Sequence, residues 1–236
     1  MHLFNRDLSD RIWRGHITTV AETRKNYDAA PSTDTLLAHT CALFSGQRNL
    51  FGRERPAVVE ELIALRYELL RLADALKKPD GMDRESHARF ADRMDTLSAH
   101  LLSLSRRTEL AAHERRACAH AAEDAVARGL IYARPLRDDA SKAHTSHLLG
   151  LTLAELALGE GRKREALIHL NHAIVDFTPM QDRRQRARVY RKAGFLLGKL
   201  GNKRSALYWG LRAVLVFPVP PMVTVKSLGS LLLSLR

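Results

Sequence analysis

The sequence predicts an all-α protein: a stack of helical hairpins following a diverged N-terminal helical region. Three observations carry that expectation. Apolar residues recur at steps of three and four along most of the chain, strand-like alternation bounded by turns is absent, and one helix–turn–helix stretch recurs at an offset of 40 residues.

Residues 4–27 read as a first helix, and the stretch from Ala29 through Pro31 to Asp34 as a loop. A second, shorter helix is expected over 34–45, ending near Gly46. Gly52 and Pro56 frame the next start, because proline suits a first helical turn, and Glu60 and Glu61 favour the positive end of the helix dipole. Leu62, Leu65, Leu69, Leu72 and Leu76 then form a stripe at steps of three and four. After a Pro79-Asp80-Gly81 turn, Phe90, Met94, Leu97, Leu101 and Leu104 repeat it. Two such stripes joined by a short loop predict a long antiparallel αα-hairpin over 56–106, with a dimeric coiled coil as the alternative use of the same leucines. An alanine-rich helix is expected over 108–128, stopped by Gly129. The segment from Ile131 to Asp139 reads as a connector, which divides the chain into an N-terminal helical region, 1–136, and a repeat region, 137–236.

Self-similarity begins after residue 145. Gly161, Ala166 and Leu167 align with Gly201, Ala206 and Leu207, while Leu170 and Ala173 fall opposite Gly210 and Ala213. A partial third copy at Ser227–Leu232 echoes Lys192–Leu197 at an offset of 35. Within 187–218, Tyr190 is bulky, Ala193 and Gly194 form a small pair, Leu197 is bulky again, and Leu200-Gly201-Asn202 marks a turn. Ala206, Ala213 and Pro218 complete the pattern. In these residues the C-terminal part resembles the tetratricopeptide repeat (TPR) family, whose fold implies stacked helical pairs that cannot bury their apolar faces alone. The offset exceeds the family's usual ~34 residues, so additional chain is expected near Thr178–Gln185. A last helix, Val223–Leu235, is expected to close the stack and is unusually apolar for a cap.

Charge is distributed unevenly. Residues 183–236 hold twelve Lys and Arg and no Asp or Glu, whereas residues 1–182 balance 26 basic against 26 acidic side chains. A solvated surface normally interleaves both signs, so a one-signed end points to a negative partner. Helical spacing sets Arg188, Arg191, Phe195 and Lys199 on one stripe, with Arg183, Arg184 and Arg186 at its start. The resemblance implies that this stripe lines the repeat groove and that Arg191 is the carboxylate-clamping position. Phe195 stands where such clamps carry Asn, so the implied ligand is an acidic, partly apolar protein segment. A protein–protein interaction adaptor or scaffold is therefore the expected function, and guanidinium forks suit carboxylates. The alternative is an RNA- or DNA-binding protein whose basic end, extended by Lys203, Arg204 and Arg212, neutralises phosphates, with Tyr208 and Trp209 for base stacking. Peripheral contact with an anionic membrane, through the same cations and the apolar 214–217 run, is a third use. Self-association through the leucine hairpin or the last helix is a fourth.

Other chemistry finds little support. Cys41 and Cys118 form no CxxC motif, no secretory signal or transit peptide is evident, and no run reaches the ~18 apolar residues of a membrane span. A cytoplasmic protein is expected. The pairs His144/His147 and His169/His172, and His39 near Cys41, lack the third ligand that a catalytic zinc needs, so no metal or other cofactor is expected. No GxSxG or P-loop stretch is present, and His113-Glu114 lacks the second histidine of a zincin, so no enzymatic activity is expected.

Overall fold

A computed structural model describes residues 19–47, 54–76, 83–174 and 180–216. Among the described residues the chain is all-α: helices account for almost all of it, there is no strand, and no helix is long and apolar enough to cross a membrane. The described chain forms two compact units. Of the described residues, 19–47, 54–76 and 96–122 form the first, and 83–95, 123–174 and 180–216 the second.

The first unit opens with α1, helical over 19–29, and α2, Thr33–Gly46. Ser32 caps α2 in a reciprocal box: its hydroxyl accepts from the Thr35 amide (3.2 Å) and its own amide donates to Thr35 Oγ1 (2.9 Å). Pro56 occupies the first turn of α3, Pro56–Ala64, as its missing N–H allows. The leucine stripe does not continue as one helix. It breaks at Leu65, and α4 runs over Arg66–Ala75. The Arg66 guanidinium occupies the break, donating to the Ile63 carbonyl at 2.7 Å and to Glu114 Oε1 at 2.8 and 2.9 Å. The other Glu114 oxygen accepts the Ala111 amide at 3.0 Å and so caps α6, Ala112–Ala133. Leu62, Leu69, Leu97, Leu101 and Leu104 are all buried within the chain, the last three on α5, Arg84–Leu104. The Pro79-Asp80-Gly81 turn lies outside the described residues.

In the second unit α5 starts on Asp83, whose Oδ1 accepts the Glu85 and Ser86 amides at 2.9 Å each. Gly129 does not stop α6, which continues to Ala133 and a 3₁₀ turn, Arg134–Leu136. The glycine serves a close crossing instead: a Cβ there would lie 2.8 Å from Met94 Cβ and 2.9 Å from Leu149 Cδ1. Two helical hairpins follow, α7 (Ala143–Gly159) with α8 (Lys163–Ile174), and α9 (Arg183–Lys199) with α10 (Lys203–Val216). Helix α9 packs on α7 and α8 as well as on α10.

The turns of these hairpins repeat bond for bond 40 residues apart. The amides of Glu160, Gly161, Arg162, Lys163 and Ala166 donate to Leu156, Leu158, Ala157, Gly161 and Arg162; those of Leu200, Gly201, Asn202, Lys203 and Ala206 donate to Leu196, Gly198, Leu197, Gly201 and Asn202. Gly161 (φ +78°) and Gly201 (φ +84°) take the left-handed conformation that each turn requires. At Gly194 a Cβ would sit 3.0 Å from the Ala206 carbonyl oxygen and 3.2 Å from the Gly210 nitrogen, so the small residue lets the two backbones approach. The hairpins share one core, with Leu148, Leu151, Leu170, Val189, Ala193, Leu196 and Leu197 at its centre. Met180, on the inserted stretch before α9, also enters this core, and the Gln181 amide bonds the Ala140 carbonyl at 2.9 Å. Val223–Leu235 and the partial third copy lie outside the described residues.

Candidate partner-binding surface

Helix α9 carries every basic residue singled out above except Lys203, Arg204 and Arg212. Asp182 caps it, accepting the Arg184 and Gln185 amides at 2.7 and 3.2 Å. No acidic residue follows in the first turn, where Arg183, Arg184 and Arg186 add positive charge to the positive end of the helix dipole. That placement breaks a local rule and works against stability. Ala187, Val189, Tyr190, Ala193, Gly194, Leu196 and Leu197 are buried. The opposite face presents Arg184, Arg188, Arg191, Phe195 and Lys199 as one continuous stripe at helical steps.

These cations differ in what they meet. Arg188 Nη2 donates to Asp95 Oδ2 on α5 at 3.2 Å, with the Arg188 side chain 49 % exposed and that of Asp95 only 7 %. Burial pushes the Asp95 carboxyl up from the usual carboxylate range, with Arg188 and then Lys192 opposing it. Lys192, beside the stripe, sits 3.4 Å from Glu155 Oε2 and donates to Thr152 Oγ1, both on α7. Its ammonium is pushed down by burial, against the pull of Glu155 and Asp95. Arg188 and Lys192 are therefore held by carboxylates of the chain itself.

Arg191 is different. It is half-buried, and its guanidinium is pushed down first by burial and then by the positive charges of Arg184 and Arg188. Among the described residues no carboxylate pairs with Arg183, Arg184, Arg186, Arg191 or Lys199. Phe195 is 48 % exposed, and the Lys199 ammonium lies 4.7 Å from its ring centroid. Arg186 faces elsewhere, close enough for its charge to reach Tyr190, and its Nε is buried without a hydrogen-bond partner among the described residues. On α10, Tyr208 is exposed with the Arg212 guanidinium 5.3 Å from its ring, while Trp209 packs against Tyr190 at 5.1 Å. Trp209 is thus partly committed to the core, and Tyr208 is the aromatic left at the surface.

Comparison of the two hairpins sharpens the picture. At the 40-residue offset Arg188 and Arg191 correspond to Leu148 and Leu151, which are fully buried in the core. The same two positions are thus apolar and covered on α7 but cationic on α9, with Arg188 exposed and Arg191 half-buried. Sequence spacing located the stripe from Arg188 to Lys199; it could not show that Asp95, 93 residues away, claims Arg188.

The histidine pairs do not assemble metal sites. His147 is buried and its Nδ1–H donates to the Ala173 carbonyl at 2.6 Å. His144 lies 3.9 Å from Asp92, and His169 pairs with Glu165 on its own helix at 3.3 Å. Among the described residues no group of three or more His, Cys, Asp or Glu side chains is arranged to hold a metal ion. In comparison with known proteins, no family model, no curated protein and no solved structure matches the chain.

Proposed function

We propose that the protein is an interaction adaptor, with TPR-like hairpins that present the outward face of α9 to an acidic, partly apolar segment of a partner protein. The observation that carries this reading is Arg191: a half-buried guanidinium beside two like charges, with no carboxylate partner among the described residues. A half-desolvated cation of this kind gains from an incoming carboxylate more than an exposed one does, because its water has already been partly removed. Arg184 joins it in the clamp, Phe195 supplies an apolar contact, and Arg183 and Arg186 add long-range attraction. Arg188 contributes charge while remaining tethered to Asp95.

A protein ligand is favoured over nucleic acid because, among the described residues, Phe195 and Tyr208 are the only well-exposed aromatics beside the basic residues of α9 and α10, which is little for base stacking. Binding of labelled acidic peptides of equal charge, and of a single-stranded RNA, tests the choice. The adaptor reading expects peptides that differ by one large apolar residue to differ about tenfold in affinity, as one buried side chain of ~1.5 kcal/mol requires. Equal affinity for all equally charged peptides, with stronger and steeply salt-dependent RNA binding, would turn the reading to a polyanion binder.

A further inference from the structure

The first unit holds a thiol beside a histidine. Cys41 lies on α2 and is exposed. Its Sγ is 3.7 Å from Nε2 of His100 on α5, and Nδ1 of the same ring is 3.0 Å from Thr40 Oγ1. The Thr40 hydroxyl donates to the carbonyls of Leu36 and Leu37, at 3.0 and 3.1 Å, so its oxygen acts towards His100 as an acceptor. Nδ1 therefore carries the ring proton and Nε2 turns its lone pair to the thiol. The ring is 6 % exposed as a residue and is stacked on Phe44, centroids 4.3 Å apart and planes 19° from parallel. A nucleophile, a base within reach of it, and a third group that fixes the base together form the arrangement by which proteins activate a thiol.

The second thiol supplies the contrast. Cys118 is buried, and burial together with the Glu114 charge pushes it up, away from the reactive thiolate. His39, the histidine nearest to Cys41 in sequence, is engaged elsewhere: Thr23 Oγ1 is 3.1 Å from its Nδ1, and Glu61 Oε1 is 2.8 Å from its Nε2.

We propose that Cys41 is a thiol–disulfide exchange site for low-molecular-weight disulfides, with His100 as its base and Thr40 as the residue that positions His100. The His100 Nε2 lone pair takes the thiol proton. The thiolate attacks one sulfur of the disulfide, a new S–S bond forms to Cys41 as the old one breaks, and the leaving thiolate takes the proton back from Nε2. The products are a mixed disulfide on Cys41 and one free thiol, so no external oxidant or reductant is needed.

The test is the reaction of the full chain with the aromatic disulfide 5,5′-dithiobis(2-nitrobenzoate), followed by release of the coloured thiol. The native chain is expected to show a fast phase for Cys41 and a slow one for Cys118, with the fast phase absent in Cys41→Ser. Near pH 6.5, where an ordinary thiol of pKa ~8.5 is about 1 % thiolate, Cys41 should outpace glutathione by about tenfold. His100→Gln should bring it down to the glutathione rate, and Thr40→Val should lower it in part, with circular dichroism confirming that each variant is folded. In urea the rates should converge. A native Cys41 no faster than glutathione, or native rates in both variants, would overturn the proposal.

Discussion

Substituting Arg188 separates the structural cations of α9 from those available to a partner. Arg188→Met removes the guanidinium that lies 3.2 Å from the nearly buried Asp95 carboxylate, leaving Lys192 as the next compensating charge. Two unit charges ~4 Å apart at an effective dielectric of ~20 interact by about 4 kcal/mol. Half-exposure of Arg188 brings screening that cuts this at least in half, so a loss of about 1–2 kcal/mol is expected. Arg188→Glu sets a second carboxylate against Asp95 and should cost more, about 2–3 kcal/mol on the same Coulomb scale. The assay is urea unfolding followed by Trp209 fluorescence in a Trp13→Phe background, these being the only two tryptophans of the chain. With a slope near 2 kcal/mol per molar, Arg188→Met should lower the midpoint by roughly 0.5–1 M. In the cycle with Asp95→Asn, the two substitutions should couple by about 1–2 kcal/mol. A coupling below ~0.3 kcal/mol would refute the assignment of Arg188 to an internal pair.

Three further expectations follow from the same unit. Lys192→Met alone should destabilise it by removing the ammonium 3.4 Å from the mostly buried Glu155 carboxylate, whereas Lys192→Met with Glu155→Leu should be neutral or stabilising by urea unfolding, because the pair offsets its desolvation poorly. Asp95 holds its proton more tightly folded than unfolded, so its contribution is fullest below the ordinary carboxylate range and is lost as pH rises through its raised folded value. As pH rises from about 4 through the raised folded value, the native chain should therefore lose stability relative to Asp95→Asn, as thermal unfolding across a pH series would measure. Gly194→Ala drives a methyl group against the α10 backbone and should cost about 1–3 kcal/mol, while Gly159→Ala, with open space around it, should gain about 0.5–1 kcal/mol in the same unfolding assay.

What the sequence disclosed follows the range of the interactions involved. The repeated turn was legible because Gly161 and Gly201 satisfy a local backbone need at equal spacing. The α9 stripe was legible because helical steps alone place Arg188, Arg191, Phe195 and Lys199 together. Gly129 was not, since a glycine that ends a helix and one that admits a neighbouring helix look alike in sequence; the Met94 and Leu149 contacts decide between them. The break at Leu65 was hidden as well: the Arg66 guanidinium beside it is held by Glu114 from 48 residues away. The Arg188–Asp95 pair and the Cys41–His100 contact join residues 93 and 59 positions apart, beyond any local pattern. Long-range pairing thus divides the basic stripe into structural and available cations.

The available cations should form a specific clamp rather than a diffuse positive field. Calorimetric titration of the tightest-binding acidic peptide into the native chain, Arg191→Gln and Arg164→Gln tests it most directly, since Arg164 is an exposed arginine on α8 and each variant loses one charge. At least a tenfold loss is expected for Arg191→Gln, as one charge-assisted hydrogen-bonded pair of about 1.5–3 kcal/mol implies, with Arg164→Gln close to native. Equal losses in the two variants would contradict it and leave only net charge at work.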